Sequence, residues 1–149
     1  MKKIICTCMG MAAITIVMAQ QPVSWEYSTS KVSDKVYEVH LKARIAQGWH
    51  LYAQEQPESF IGSPTTIKFN QHPLISLKGK PTEIGQLIKT KEPTLGYEAF
   101  QYAVGVEFVQ RIHLKNNSKT NISGSIAYQV CTDKMCLPPA NASFSVALN

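Results

Sequence analysis

No window of a dozen residues in this 149-residue chain carries the apolar stripe of a helix. Nor does the chain hold the unbroken run of roughly 20 apolar residues that spans a bilayer. The first absence argues against a helical fold and the second against a membrane-embedded one. Basic residues outnumber acidic ones, 15 to 10, for a formal charge of +5, yet they are scattered rather than massed in one run. Nucleic-acid binding is therefore disfavoured. The four histidines, His40, His50, His72 and His113, are dispersed, and zinc usually wants four Cys or His ligands, so a metal site is disfavoured too. Internal repeats, low-complexity tracts and interdomain linkers are all missing, which leaves room for one domain.

The amino terminus does have a pattern. Lys2 and Lys3 supply a positive start, Ile4 to Met18 is mostly apolar, and Val17-Met18-Ala19 ends on a small residue before Gln20 and Gln21. This is the order of a secretory signal peptide, expected over residues 1–19, with an uncleaved anchor as the alternative. No cysteine follows the small residue, so the acceptor for a lipid anchor is missing there. Cleavage after Ala19 would leave 149 − 19 = 130 residues, a single domain over 20–149, and a formal charge of +3 without Lys2 and Lys3. Cys6 and Cys8 would leave with the signal. Only Cys131 and Cys136 would remain, a pair that an exported protein oxidises at some point in its life.

What fills the rest is alternation. Val39, Leu41, Ala43 and Ile45 alternate with His40, Lys42 and Arg44, the period of a half-buried strand. The same period returns at Val104, Val106 and Phe108, with Gln110 interrupting before Ile112 and Leu114. It returns again at Ile122, Ile126, Tyr128 and Val130 with Gly124 in the series, and at Phe144, Val146 and Leu148. Thr66 to Phe69 and Leu74 to Leu77 read as shorter strands. Turn residues separate them at Gln71-His72-Pro73, Lys78-Gly79-Lys80-Pro81 and Asn116-Asn117-Ser118. The expected fold is all-β, an immunoglobulin-like antiparallel β-sandwich. Glu83 to Phe100 has mixed signals and is expected to be a long loop.

The cysteines stand in "YQVCTDKMCLPP", from Tyr128 to Pro139. A structural disulfide in a sandwich ties the sheets together across many tens of residues. The ring closed by Cys131 and Cys136 is short, and loop entropy gives it roughly 2 kcal/mol against about 4.7 for a 100-residue loop. Cys131 falls where the buried series ends, and Pro138 and Pro139 cannot donate to a ladder. The pair is thus expected at a strand tip that a partner can reach. Spacing alone leaves a structural clasp and a redox couple both open.

"YQVCTDKMCLPP" resembles the closing motif of the amino-terminal periplasmic domain of DsbD, the thiol:disulfide interchange protein, through Tyr128, Gln129, Cys131, Cys136, Pro138 and Pro139. "GWHLYAQEQPESFIGSPTTIKF" is similar to an upstream motif of that family through Gly48, Trp49, His50, Leu51, Tyr52, Pro64 and Thr65. "VEFVQRIHL", from Val106 to Leu114, looks like its strand before the cysteine hairpin. The matches run from about Val23 to Leu148. Four residues separate the cysteines, one fewer than in the best-known members, which tightens the ring. In those members a cap-loop aromatic shields the disulfide; the matching stretch "KEPTLGYEAF" offers Leu95 beside Gly96, with Tyr97 and Phe100 nearby.

The resemblance implies an immunoglobulin-like domain that passes electrons through a Cys131/Cys136 couple. Cys136 would join the partner and Cys131 would resolve the mixed disulfide. Lys134 would favour a thiolate and Asp133 oppose it. Leu95, Gly96 and Tyr97 would form the cap, Gly96 setting its turn, while Tyr52 and His50 would line the site; each also has an ordinary packing role open to it, as Trp49 has in the core. The implied partners are a thioredoxin-like electron donor, periplasmic disulfide-containing acceptors and a membrane reductase on a separate chain; neither cofactor nor metal is implied. The competing reading is a secreted immunoglobulin-like binding module whose disulfide only stiffens a hairpin.

Overall fold

The computed structural model describes residues 21–92 and 96–148. The expected signal peptide and Leu95 lie outside these residues. The strands are β1 (Val23–Ser33), β2 (Val36–Ile45), β3 (His50–Tyr52), β4 (Thr66–Phe69), β5 (Ile75–Gly85), β6 (Ile88–Glu92), β7 (Tyr97–Tyr102), β8 (Gly105–Leu114), β9 (Thr120–Tyr128), β10 (Val130–Cys131) and β11 (Ala140–Leu148). All their pairings are antiparallel, in the orders β1-β2-β8-β5, β10-β3-β7-β6 and β11-β9-β4. Among the described residues no helix is long and apolar enough to cross a membrane.

The alternation read from the sequence is what buries each strand on one face. Val39, Leu41, Ala43 and Ile45 of β2 point inward, as do Val106, Phe108, Ile112 and Leu114 of β8, whereas Val104, read in the same series, precedes β8 and is exposed. Leu41 stands opposite Phe108 in the ladder. From the other side of the core come Ile122, Ile126 and Tyr128 of β9 and Phe144 and Leu148 of β11. Aromatic rings span the gap: Trp25 meets Tyr128 edge-on at 5.4 Å between centroids, and Tyr27 meets Phe144 at 5.7 Å. Trp49 packs partly buried against the same core.

Three expectations are revised. Strand β1 was not among those expected, although Val23, Trp25 and Tyr27 point to the core between Ser24, Glu26 and Ser28. Strand β5 does not stop at Lys78-Gly79-Lys80-Pro81 but bulges there, its register to β8 shifting between Lys78 and Thr82. Gln110 is the reason: instead of interrupting β8 it is buried opposite the bulge, where its Nε2 donates to the Arg111 carbonyl at 2.7 Å and the Lys78 carbonyl at 3.2 Å. Pro81, lacking an N–H, costs the ladder nothing in such a bulge. Finally, Glu83 to Phe100 is no long loop. It contains the end of β5 and the hairpin of β6 and β7, whose signal was masked because both strands carry charged or polar residues on their open side.

Gly124 marks the tightest approach in β9. A Cβ there would collide with the Lys68 carbonyl of β4 and the Phe144 ring of β11. Gly124→Ala should therefore lower the unfolding free energy by about 1–3 kcal/mol, read as a lower denaturant midpoint at unchanged slope. An unshifted midpoint would show that β4 and β9 are not packed this closely.

Candidate functional site

Strand β9 runs beside β11 as far as Tyr128, opposite Ala140, and then the chain changes sheets: Val130 and Cys131 pair with Leu51 and His50 of β3. Gln129 is the crossing residue, and its side chain fastens the corner. Its Oε1 accepts from the Ser63 N–H at 3.0 Å and its Nε2 donates to the Leu137 carbonyl at 3.0 Å. Beyond Cys131 the chain reverses within four residues. The Thr132 N–H donates to the Met135 carbonyl at 2.7 Å, while Thr132 Oγ1 accepts from the N–H groups of Lys134 at 3.2 Å and Met135 at 3.1 Å. A threonine hydroxyl that satisfies the turn's own donors is how this short loop holds its shape. The Leu137 N–H donates to the Val130 carbonyl at 3.0 Å and closes the hairpin. Cys131 and Cys136 thereby face each other, their Cα atoms 4.0 Å apart, and are joined as a disulfide.

The two sulfurs live in different surroundings. Cys131 is 5% exposed, in a small apolar cluster with Tyr52 and Ala99 against which Phe60 and Tyr97 pack. Cys136 is exposed. The Tyr52 hydroxyl lies 3.1 Å from Cys131 Sγ and 3.8 Å from Cys136 Sγ. Disulfide sulfurs carry no hydrogen, so a hydrogen bond here is donated by the phenol. Burial, followed by the neighbouring Tyr97 hydroxyl, pushes the Tyr52 pKa up to about 12. The phenol thus stays protonated at any physiological pH.

His50, Tyr52, Tyr97 and the two cysteines, which come from distant parts of the sequence, line one cleft of about 710 Å³ together with Lys91 and Met135. His50 Nδ1 lies 4.0 Å from Asp133 Oδ1. Gly96 has φ +73° in the turn between β6 and β7, a conformation that glycine adopts without strain. Among the described residues no three His, Cys, Asp or Glu side chains gather as a metal-binding set.

Three contributors escaped sequence reasoning. Phe60 meets Tyr52 edge-on at 4.7 Å and Tyr97 at 6.4 Å, so it braces both rings from the loop after β3. That loop is anchored by Gln56, which takes the place of a neighbouring strand: its Oε1 accepts from the Phe100 N–H at 2.9 Å and its Nε2 donates to the Phe100 carbonyl at 2.7 Å. Gln56 is thus the second and Thr132 the third, while Gln129 was read only as part of the cysteine motif and not as the corner it fastens. The available signals were an aromatic residue stranded in a polar loop, which must pack somewhere, and a threonine at the mouth of a short turn.

The sequence matches the family described as thiol:disulfide interchange protein DsbD, N-terminal, over residues 17–148. No curated protein matches the chain. Among solved structures it is similar to the DsbD N-terminal domain of Neisseria meningitidis in the reduced form, with 20% identity and a TM-score of 0.52 over 83% of this chain and 85% of that one. It is similar, at 19% identity and a TM-score of 0.51, to a chain of the complex between the DsbD N-terminal and PilB N-terminal domains of the same organism, over 83% of this chain and 80% of that one. The N-terminal periplasmic domain of ScsB from Proteus mirabilis matches at 18% identity and a TM-score of 0.57, over 89% of this chain and 48% of that one. This chain therefore spans about half of that domain's length. At such identities the likeness establishes the fold, an immunoglobulin-like β-sandwich.

Two outcomes test this geometry. Between the ordinary phenol value near 10 and about 12, the unfolded chain sheds the Tyr52 proton while the folded chain keeps it. The folded state then binds more protons, so stability falls as pH rises through that window and is unaffected by Tyr52 below it. Tyr52→Phe should flatten this fall in denaturant titrations from pH 9 to 12 (roughly the phenol range); an unchanged slope would show that the phenol is not buried. Gln129→Ala strips partners from the Ser63 N–H and the Leu137 carbonyl and should cost roughly 1–3 kcal/mol. A neutral substitution, measured the same way, would mean that the corner holds without it.

Proposed function

Since the chain belongs to the family of DsbD amino-terminal domains, we propose that it is a periplasmic thiol–disulfide exchange domain in which Cys131 and Cys136 carry two electrons between a thioredoxin-like donor and disulfide-containing acceptors. The observation that carries the proposal is the disulfide in the family's cysteine motif, with one sulfur exposed and one buried beneath Tyr52. A purely structural clasp has no use for that asymmetry. Export by a signal peptide over residues 1–19 completes the reading.

In the reducing half, a donor thiolate attacks Cys136 Sγ, the sulfur it can reach. The Cys131–Cys136 bond breaks and its electron pair leaves on Cys131 Sγ, where the protonated Tyr52 hydroxyl can donate to the new thiolate. The donor's second thiolate then attacks its own bridged sulfur and releases Cys136. In the oxidising half, the Cys136 thiolate attacks an acceptor disulfide, and Cys131 displaces the acceptor's thiolate by re-forming the intramolecular bond. Each half moves two electrons and consumes no other reagent. Tyr97 packs against the cluster that buries Cys131, and His50 borders the cleft; confining exchange to partners able to enter suits a reductant working in an oxidising compartment.

The test is the midpoint potential of the couple, read by thiol trapping in redox buffers, together with trapping variants. The potential is expected between about −180 and −270 mV, the range of working oxidoreductases, against below about −300 mV for a structural bond. Cys131→Ser should accumulate a mixed disulfide through Cys136 with a thioredoxin-like protein, and Cys136→Ser should accumulate little. A potential in the structural range, or equal trapping by both variants, would defeat the proposal.

A further inference from the structure

Met135 is 56% exposed beside exposed Cys136, on a hairpin whose other cysteine is buried. Its backbone is pinned in both directions by Thr132, its N–H donating to Oγ1 at 3.1 Å and its carbonyl accepting from the Thr132 N–H at 2.7 Å. An exposed apolar side chain on so constrained a backbone is a presented group rather than a loose one. It also lines the cleft that holds both sulfurs.

Covalent geometry then limits what Met135 can touch. In a mixed disulfide the partner's cysteine Cα lies about 4.4–6.8 Å from that of Cys136, and the Met135 Cα is about 3.8 Å from it along the chain. Any protein bonded to Cys136 Sγ therefore brings the surface around its own cysteine within reach of the Met135 side chain, which lines the same cleft. We infer that Met135 is a specificity-determining contact of this domain, seating in an apolar rim beside the reactive cysteine of a thioredoxin-like partner. The chemistry suits an exchange domain that serves more than one partner: an unbranched, polarisable thioether moulds to differently shaped apolar rims at little cost. Lys91 and Lys134, both exposed, outnumber Asp133 in the same cleft, so the rim favoured around that apolar contact carries carboxylates. The inference rests on the exchange function proposed above and names the partner surface that function requires.

The experiment compares reduction of the oxidised full chain by reduced thioredoxin with reduction by dithiothreitol, for the parent, Met135→Ser and Met135→Leu. Dithiothreitol has no surface to seat and serves as the reference. Met135→Ser is expected to slow reduction by thioredoxin roughly tenfold, the loss expected from removing one apolar contact, with the dithiothreitol rate unchanged and with Met135→Leu recovering most of the thioredoxin rate. Equal thioredoxin rates for Met135→Ser and the parent would overturn the inference and leave the exchange function standing. Equal slowing by both reductants would also overturn it, since the substitution would then have altered the disulfide itself. A parent disulfide that dithiothreitol opens and thioredoxin does not would remove the exchange function, and the inference with it.

Discussion

The cysteine pair depends on one corner of backbone. At Gln129 a strand that is buried in one sheet up to Tyr128 transfers to another sheet at Val130. A chain that changes ladders leaves backbone groups without their usual partners, and the Gln129 amide, with one acceptor and one donor in use, supplies them to Ser63 and Leu137. Because the strand bends there, the residues that follow are carried to the end of a short sheet instead of across the core. The disulfide could not otherwise be at once continuous with the core and open to solvent.

From that corner the asymmetry of the two sulfurs follows. Cys131 is the last residue of the strand and keeps its burial, under Tyr52, Ala99 and the rings of Phe60 and Tyr97. Cys136 is reached only after a turn that Thr132 closes, and it emerges in solvent. The short loop does two things together: it brings the sulfurs within bonding distance and it prevents both from sharing one environment. In the exchange proposed above, that difference would separate the sulfur that is attacked from the sulfur that leaves. The buried phenol, held protonated well above neutral pH, places a hydrogen-bond donor 3.1 Å from Cys131 Sγ.

The aromatic brace shows how far apart in sequence the parts of a small site can be. Tyr52 comes from β3, Phe60 from the loop after it, Tyr97 from the start of β7 and Cys131 from β10. The loop bearing Phe60 has no strand partner of its own. Gln56 gives it one by bonding both backbone groups of Phe100, so a side chain substitutes for a ladder and fixes the loop over the site.

Strand alternation was legible from β2, β8, β9 and β11 because a half-buried strand must alternate, and burial is a property that the residue types themselves carry. The cysteine motif was legible for a similar reason: the buried series ends at Cys131 and two prolines forbid its continuation. Other features were not. Gln110 reads as a break in a strand until the bulge opposite it is seen, and the β6–β7 hairpin reads as a loop because its open side is polar. Which sulfur is buried, and that Phe60 rather than an adjacent apolar residue braces Tyr52, were decided only when the sheets met. By itself the sequence determined the alternating strands β2, β8, β9 and β11, the sandwich and the cysteine turn, because those follow from local periodicity and backbone chemistry. The tertiary structure alone decided the unequal environments of the two cysteines, because burial at a strand end is set by residues far away in the chain.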